Sequence, residues 1–449
     1  MNIEPIITPG TLRFIERTEE LCGLVRREGA VDLIDLDAYR KNLKLWKEVV
    51  AGHRIETYLA HKATKSPSVL RATLDAGLGI DVSSLGELES ALNTGFAAER
   101  IECTGPKNTA FLTKAAHLRC LISIDSIEER ERLITIGTNS RILLRIADPH
   151  APGRRMLEKR TKFGIRREHL ERAYALIEHS RIRLEGFHVH MDGFDPQMRA
   201  SIGEGLIELI AEANDGGLTP RTINLGGGIK SPRLAGNHSW QRLMQAYERE
   251  LLSETHERTW DRRAYGMHLG RRGTIEGRAN AEMPSMTNDP MTYLERFLTS
   301  PTSRGVTFNQ LLLETEITLL LEPGTALLTD TGVSIVPVIG VKDAPIPITV
   351  CDTNMFNLGT RMFEPIADPL LLPVQHDTEP FETFITGNLC REDDVLMQRT
   401  VRFARRPESG DVLLFTARGA YQTYEQARPQ LQPTPVSYVL ENETLRQDT

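Results

Sequence analysis

The chain predicts an α/β fold, an eight-stranded (β/α)8 barrel of the TIM type followed by an all-β, Greek-key-like domain. Three observations predict it. From about residue 55, short apolar runs alternate with longer amphipathic segments eight times, the pattern of a barrel. Polar groups able to do chemistry stand at the ends of those runs, where such barrels open their active face. After Glu322 the helical pattern stops, and β-branched runs separated by Gly, Pro and Asp take over. An open doubly wound sheet shares the alternation, but neither the count of eight nor the polar strand ends favours it.

Val31–Leu36 precedes the first barrel helix and reads as a strand of the β domain. The barrel strands are expected at Thr57–His61, Gly79–Val82, Ile101–Thr104, Cys120–Ile124, Ile142–Ile146, Leu184–His190, Thr222–Leu225 and Ile317–Leu321. Between them lie helical patterns at Pro67–Ala76, Leu85–Thr94, Ile127–Ile136, His169–Glu178 and Gly203–Ala213. Nearly a hundred residues separate Gly228 from Glu322, far more than a barrel needs, so an insertion is expected around 232–312. It holds an Arg/Gly-rich piece (His268 to Asn280) and a Met/Pro-rich piece (Met283 to Met291), and reads as a lid or an interface element. Val333–Val341, Ile346–Cys351, Val412–Phe415 and Val436–Leu440 are the strands of the β domain. The predicted division is an N-terminal segment at 1–36, a barrel at 37–325 and a β domain at 326–449.

A chain of 449 residues exceeds a single core, which agrees with two domains. Its net charge of −7 argues against nucleic acid as a partner. The basic cluster at Arg154, Arg155, Lys159, Arg160 and Lys162 is interrupted by Glu158 and reads as a solvated loop. Five cysteines, scattered and without a CxxC pair, suit a reducing compartment and suggest neither disulfides nor a zinc site. Met1 to Gly10 lacks the pattern of a secretory leader, and no apolar run is long enough to span a bilayer. A soluble, cytoplasmic protein with no membrane partner is expected.

Taken in order, the strand ends carry Lys62, Asp81, Thr104-Gly105-Pro106, Asp125, Arg145, His188 and His190, Gly226-Gly227-Gly228, and Glu322. Lys62 reads either as a surface amine capping a strand or as a buried amine able to form a Schiff base with a carbonyl. The triple glycine lets backbone N–H groups approach an anion such as phosphate, or is simply a flexible turn. Glu322 can keep a pyridine nitrogen protonated, or can pair with a barrel arginine. His188 and His190 share one face of a strand, as a metal pair or as one stacking and one structural imidazole.

These residues resemble the fold-type III pyridoxal-phosphate (PLP) enzymes, and within them the diaminopimelate/ornithine decarboxylase family. The resemblance rests on short motifs in the family's order. They are Ala60-His61-Lys62-Ala63, Gly79-Ile80-Asp81-Val82 through Glu87, Thr104-Gly105-Pro106-Lys107 and Lys162-Phe163-Gly164. Further on come Gly186-Phe187-His188-Val189-His190, Gly226-Gly227-Gly228, Glu322-Pro323-Gly324, Leu389-Cys390 with Asp394, and Gly419-Ala420-Tyr421. The resemblance implies a PLP-binding barrel plus a β domain, in a homodimer with shared active sites. It implies that Lys62 holds PLP as a Schiff base, that His190 stacks on the ring and that Glu322 pairs with its nitrogen. Gly227, Gly228 and Gly324, with Tyr421, would hold the phosphate, and Asp81 and Glu87 would support the site. Cys390 of the partner subunit would reprotonate the carbon that loses carbon dioxide. Arg361, Arg391 and Asp394 are the candidate substrate contacts.

Three positions depart from the family pattern. Thr325 stands where the family's Glu-Pro-Gly-Arg phosphate clamp has its arginine, and Asp192-Gly193 follows Met191 where the family has Gly-Ser. Arg145 or Lys107 are candidates to make up for the lost phosphate contacts. Arg391 follows the cysteine where the family carries an acid for the distal amine of its substrates, so either the substrate lacks a distal ammonium or Glu392, Asp393 or Asp394 takes over, and a substrate other than diaminopimelate, lysine or ornithine is expected. The expected activity is PLP-dependent decarboxylation of an amino acid or amino-acid conjugate. The rivals are a racemase or epimerase with Tyr421 or Cys390 as second acid/base, and a non-catalytic homologue.

Overall fold

The computed structural model describes residues 3–155, 160–178, 180–190, 195–229, 231–232, 237–253, 255, 258–260, 266–277, 289–359, 367–374, 379–423 and 426–449. The chain divides into two compact units, one of 40–230 and 289–327, the other of 1–39, 231–288 and 328–449. It enters through helices α1 (Pro9–Ile15) and α2 (Thr18–Glu28) and strand β1 (Val31–Asp35), then runs into α3 (Leu36–Val50).

The first unit is the barrel. Its strands are β2 (Ile55–Ala60), β3 (Gly79–Val82), β4 (Ile101–Cys103), β5 (Leu121–Ile124), β6 (Arg141–Arg145), β7 (Arg183–His188) and β8 (Thr222–Asn224). After a small hairpin in the other unit, β9 (His268–Leu269) with β10 (Ile275–Glu276), strand β11 (Thr318–Leu321) closes the ring between β8 and β2. All eight barrel pairings are parallel. The eightfold alternation in the sequence thus corresponds to a closed barrel.

Helix starts are set locally. Ser66, Ser84, Asn108, Ser126 and Asp195 each accept the backbone N–H three residues on, and so open α4 (Pro67–Asp75), α5 (Leu85–Thr94), α6 (Thr109–Leu118), α7 (Ile127–Ile136) and α9 (Pro196–Asp215). Each cap is worth about 1 kcal/mol and holds a helix start close to the preceding strand end, which keeps the barrel mouth in place. α8 (Leu170–Glu178) follows β6. Inside the barrel, Tyr58, Leu121, Leu143 and Leu320 form a small apolar plug. Two glycines make the packing possible. A side chain on Gly79 would come within 2.5 Å of the Tyr58 ring, and one on Gly186 would run into the Thr222 carbonyl of β8.

The stretch expected as one insertion is divided between the units. Helix α10 (Asn237–Ser253) packs Trp240, Leu243, Tyr247 and Leu251 with Ile3 and Met267 in the β unit. Helices α11 (Pro290–Leu298) and α12 (Phe308–Glu314) instead pack on α9, with Phe297 and Phe308 at 5.0 Å between ring centroids. The reason is apolar burial: Phe308 lies over Gly203 of α9, so α12 takes the place of the barrel helix before β11.

The other unit is built on a nine-stranded sheet. It adds β12 (Gly332–Lys342), β13 (Ile348–Cys351), β14 (Leu370–Leu372), β15 (Phe381–Thr386), β16 (Val395–Phe403), β17 (Val412–Phe415), β18 (Val436–Glu441) and β19 (Thr444–Gln447) to β1. Its order is β16-β15-β13-β12-β1-β18-β19, with β17 on β12 and β14 on β17. Most pairs are antiparallel, but β1 with β18 and β13 with β15 are parallel, so the sheet is mixed rather than a plain antiparallel Greek key. Phe14, Leu21, Leu24 and Val25 of α1 and α2 cover one apolar cluster around Leu33, Ile335 and Leu414. The five cysteines are all free, and Cys390 alone is exposed. Among the described residues, no helix is long and apolar enough to cross a membrane.

Gly186 supplies a stability prediction. Gly186→Ala should destabilise the chain by about 3 kcal/mol, because the new carbon meets β8 backbone that cannot yield. Urea denaturation of variant and parent, compared at their midpoints, checks it.

Candidate active site

Strand β2 ends at Ala60, whose N–H bonds the Pro323 carbonyl at 3.2 Å and so joins the end of β2 to the end of β11. One 3-10 turn, His61–Ala63, then carries Lys62. Its Nζ lies 3.7 Å from Asp81 Oδ2, and the lysine side chain is 28% exposed against 1% for the aspartate. Lys62 is therefore an ion-paired amine still open to solvent, not one sealed in apolar surroundings. Asp81 Oδ1 accepts the Thr104 hydroxyl at 2.6 Å. Burial and then Glu322 push the Asp81 carboxyl up to about 7, against the pull of Lys62 and the Thr104 hydroxyl.

Glu322, fully buried after β11, gathers the opposite side of the mouth. His188 Nε2 lies 3.4 Å from its Oε1 and His190 Nδ1 lies 3.7 Å from its Oε2. Asn224 Nδ2 donates to Oε1 at 2.7 Å. Burial pushes Glu322 up, but His188, His190 and Lys62 outweigh it and hold the carboxyl well below its usual range. His188 itself is driven well below its ordinary pKa by burial. A fully buried imidazole with Ser123 Oγ at 2.6 Å from its Nδ1 is neutral. That leaves Lys62 and the Asn224 amide to keep Glu322 ionised.

The glycine loop fits this arrangement by having no side chains. Gly226 and Gly228 have φ of 63° and 73°, in the left-handed region. A Cβ on Gly227 would lie 2.5 Å from the Glu322 carbonyl, and one on Gly226 would strike the His190 ring. The Gly227 N–H donates to His190 Nδ1 at 3.3 Å, and Glu322 N–H bonds the Gly226 carbonyl at 3.0 Å. Lys62, Asp81, His190, Gly227, Gly228 and Glu322 thus share one barrel mouth, with Gly324 buried in the turn after β11 and Thr325 half-buried beside it.

Other expected groups serve the scaffold. Lys107 is no phosphate contact: its buried Nζ bonds Glu129 at 2.8 Å and the Gly105 and Ser123 carbonyls at 2.6 and 2.7 Å. Arg145 stays at the mouth, 3.4 Å from Asp125 and 4.3 Å over the Phe163 ring. Glu87 accepts the N–H and hydroxyl of Ser83 at 2.7 and 2.9 Å, a cap on α5. His188, His190 and Glu322 present ligand atoms within 4.8 Å of one another, as a metal site requires. Ser123, Gly227 and Asn224 already hold one atom of each, which favours a hydrogen-bonded site over a metal cage.

In the β unit, Cys390 lies in the loop between β15 and β16, exposed, its N–H donating to Gln430 Oε1 at 2.9 Å. Asp394 is buried, and its two oxygens accept the N–H groups of Met355 and Leu389, both at 2.8 Å. It holds the loop's shape instead of facing a substrate. Arg391 closes on Asp393 and lies 6.0 Å from the Phe356 ring centroid, so its charge is paired. Tyr421 has φ of 62° and follows Arg418, which is anchored to the Leu358 carbonyl at 2.6 Å. Arg361, Asp192 and Gly193 lie outside the described residues.

Sequence reasoning missed Glu102 and Asn224. Asn224 Nδ2 donates to Glu102 Oε1 and Oε2 at 2.7 and 2.9 Å as well as to Glu322. A signal existed: Glu102 is a charge within a three-residue strand that is buried throughout.

Residues 36–259 match the family described as pyridoxal-dependent decarboxylase, pyridoxal binding domain. The uncharacterised protein y4yA of Sinorhizobium fredii is 29% identical over 444 residues, covering 94% of this chain and 90% of that protein. The diaminopimelate decarboxylase of Zymomonas mobilis is 32% identical over 184 residues, 38% of this chain and less than half, 44%, of that enzyme. The crystal structure of Helicobacter pylori diaminopimelate decarboxylase with L-lysine superimposes with a TM-score of 0.72 at 18% identity, covering 96% of this chain and 95% of that one, and so shares the fold.

Asp81 generates a pH prediction. Between its ordinary value of 3.8 and about 7, the folded chain holds a proton on Asp81 that the unfolded chain has lost. Its contribution to stability is therefore present at the acid end and lost as pH rises through that window. Asp81→Asn should remove this loss, so the stability of the variant relative to its parent should rise across the window and then level off. Urea unfolding at a series of pH values checks the sign.

Proposed function

This chain is a divergent member of the fold-type III pyridoxal-dependent decarboxylases, and on that premise we propose that it releases carbon dioxide from an amino acid or an amino-acid conjugate, with pyridoxal 5'-phosphate as cofactor. The observation that carries the reading is the pairing at one barrel mouth of the Lys62 amine with Glu322 kept ionised, beside a loop of bare backbone. The residues present fit the cofactor. Lys62 would attach it covalently, Glu322 would face its ring nitrogen and His190 would lie against its ring. Gly227, Gly228 and Gly324, with Tyr421, would take its phosphate. With Thr325 in place of an arginine, the phosphate would rest more on backbone N–H groups and Arg145. Bound there, PLP supplies an electron sink for breaking the bond to the carboxylate.

The chain's own groups do the rest. The ion pair with Asp81 orients the Lys62 amine, and the Glu322 carboxylate stabilises positive charge held against it. Cys390, exposed on its loop, would donate a proton to the carbon that lost carbon dioxide. In this reading it does so in the partner subunit's site of a homodimer. Of the three acids after Arg391, Asp393 is taken by Arg391 and Asp394 faces inward, so Glu392 alone of them stands exposed and outside those contacts. The contacts support a substrate with a polar distal group rather than diaminopimelate, lysine or ornithine.

A panel of amino acids and conjugates assayed for carbon dioxide release with added PLP tests the reading. Turnover of diaminopimelate, lysine or ornithine at ordinary efficiency would overturn the substrate assignment. Inverted chirality of the product without gas release would make the chain a racemase. Lys62→Ala should abolish both release and the visible absorption of bound cofactor. Cys390→Ala should leave that absorption in place and lower kcat by about 10²–10⁴-fold, the usual share of a general acid.

A further inference from the structure

Glu102 is a carboxylate in the middle of the barrel that the proposed chemistry does not use. Its register partner on β3 is Asp81, so the two acids stand side by side on the inner surface. Asn224, on β8 at the far side of the ring, reaches across to it. The amide's orientation is fixed, because Asn224 Oδ1 accepts the Gly226 N–H at 2.7 Å. Its NH2 group must then face the acids, with one hydrogen toward Glu322 Oε1 at 2.7 Å and the other toward the two oxygens of Glu102 at 2.7 and 2.9 Å.

Two ionised carboxylates cannot share one amide here. At an effective dielectric of about 20, charges some 5 Å apart repel by roughly 3 kcal/mol, and Asp81 adds to this. The cations do not divide evenly between the acids. Lys62 acts on Glu322, while Lys107 is buried against Glu129. Glu102 is therefore the acid that keeps its proton.

We propose that Glu102 is a neutral carboxylic acid inside the barrel and, through Asn224, the positioning residue that holds Glu322 as an aimed carboxylate tied to the glycine loop. The same amide that orients Glu322 fixes the first N–H of the loop, so acid and loop keep their spacing together. The electrostatics agree: burial first, then Glu322 and Asp81, push Glu102 well above the usual carboxylate range, against the Asn224 hydrogen bond and Lys107. Tyr58, which also feels Glu102, is itself pushed up by burial and adds no charge. What Glu322 acts on rests on the proposed function; the proton on Glu102 does not.

Infrared spectroscopy of the full chain without cofactor reads that proton directly. Above the pH range in which Asp81 titrates, the parent should show a deuterium-sensitive carboxylic-acid carbonyl band. Glu102→Gln should lose it, and Asn224→Leu, which removes the shared amide, should shift it. A parent spectrum without the band overturns the proposal, as does a band that survives Glu102→Gln or stays unmoved in Asn224→Leu. In the cofactor-loaded protein, Glu102→Gln, an isostere of the neutral acid, should leave PLP affinity within about threefold, while Asn224→Leu should weaken it about tenfold. Loss of affinity in Glu102→Gln equal to that in Asn224→Leu overturns the neutral-acid assignment. A chain that binds no PLP but shows the infrared band would overturn the proposed function and leave this inference standing.

Discussion

Three carboxylates, Asp81, Glu102 and Glu322, share the mouth of one narrow barrel, and the surrounding structure controls which of them carries charge. All three are buried, so each charge needs a partner or must be given up. Lys62 stands against Asp81, the Asn224 amide bridges Glu102 and Glu322, and His190 completes the shell of Glu322. The result is graded rather than uniform: Glu322 is held low, Asp81 is raised to about 7, and Glu102 is pushed well above the usual carboxylate range. An acid meant to face a cation needs that first state, and the other two acids can be tolerated only as they are.

The scaffold meets this demand with short-range devices. Side-chain caps fix each helix against the strand before it, so the strand ends that carry the chemistry stay in register. Gly226, Gly227 and Gly228 let backbone come against His190 and Glu322 where any side chain would collide. Lys107 and Glu129 are an ion pair of another kind, buried behind the mouth and hydrogen-bonded to carbonyls on two strand ends. A charge so fully occupied braces the wall of the site and is unavailable to a ligand.

The β unit carries its candidate groups on a loop with its own internal logic. Asp394 gathers the amides of Leu389 and Met355 and so presents Cys390 at the surface, while Arg391 folds onto Asp393. The departure from the family pattern that stood out in the sequence as a free positive charge is an internal ion pair.

Periodicity, glycine placement and the order of polar strand ends determined the barrel, the second β-rich unit and the candidates Lys62, Asp81, His190 and Glu322, because all of these are local patterns set by helix and strand geometry. The division of 231–327 between the two units was not legible, since it depends on which helix finds apolar surface on α9. Nor was the role of Lys107 or Asp394, whose residue types suit a ligand as well as they suit a brace. Asn224 and Glu102 lie 122 positions apart in the chain and meet only because β4 and β8 face each other across a closed ring. The sequence by itself determined which acids stand at the strand ends; only the tertiary structure decided which of them is ionised, because charge at a buried site is set by neighbours that closure of the barrel brings together.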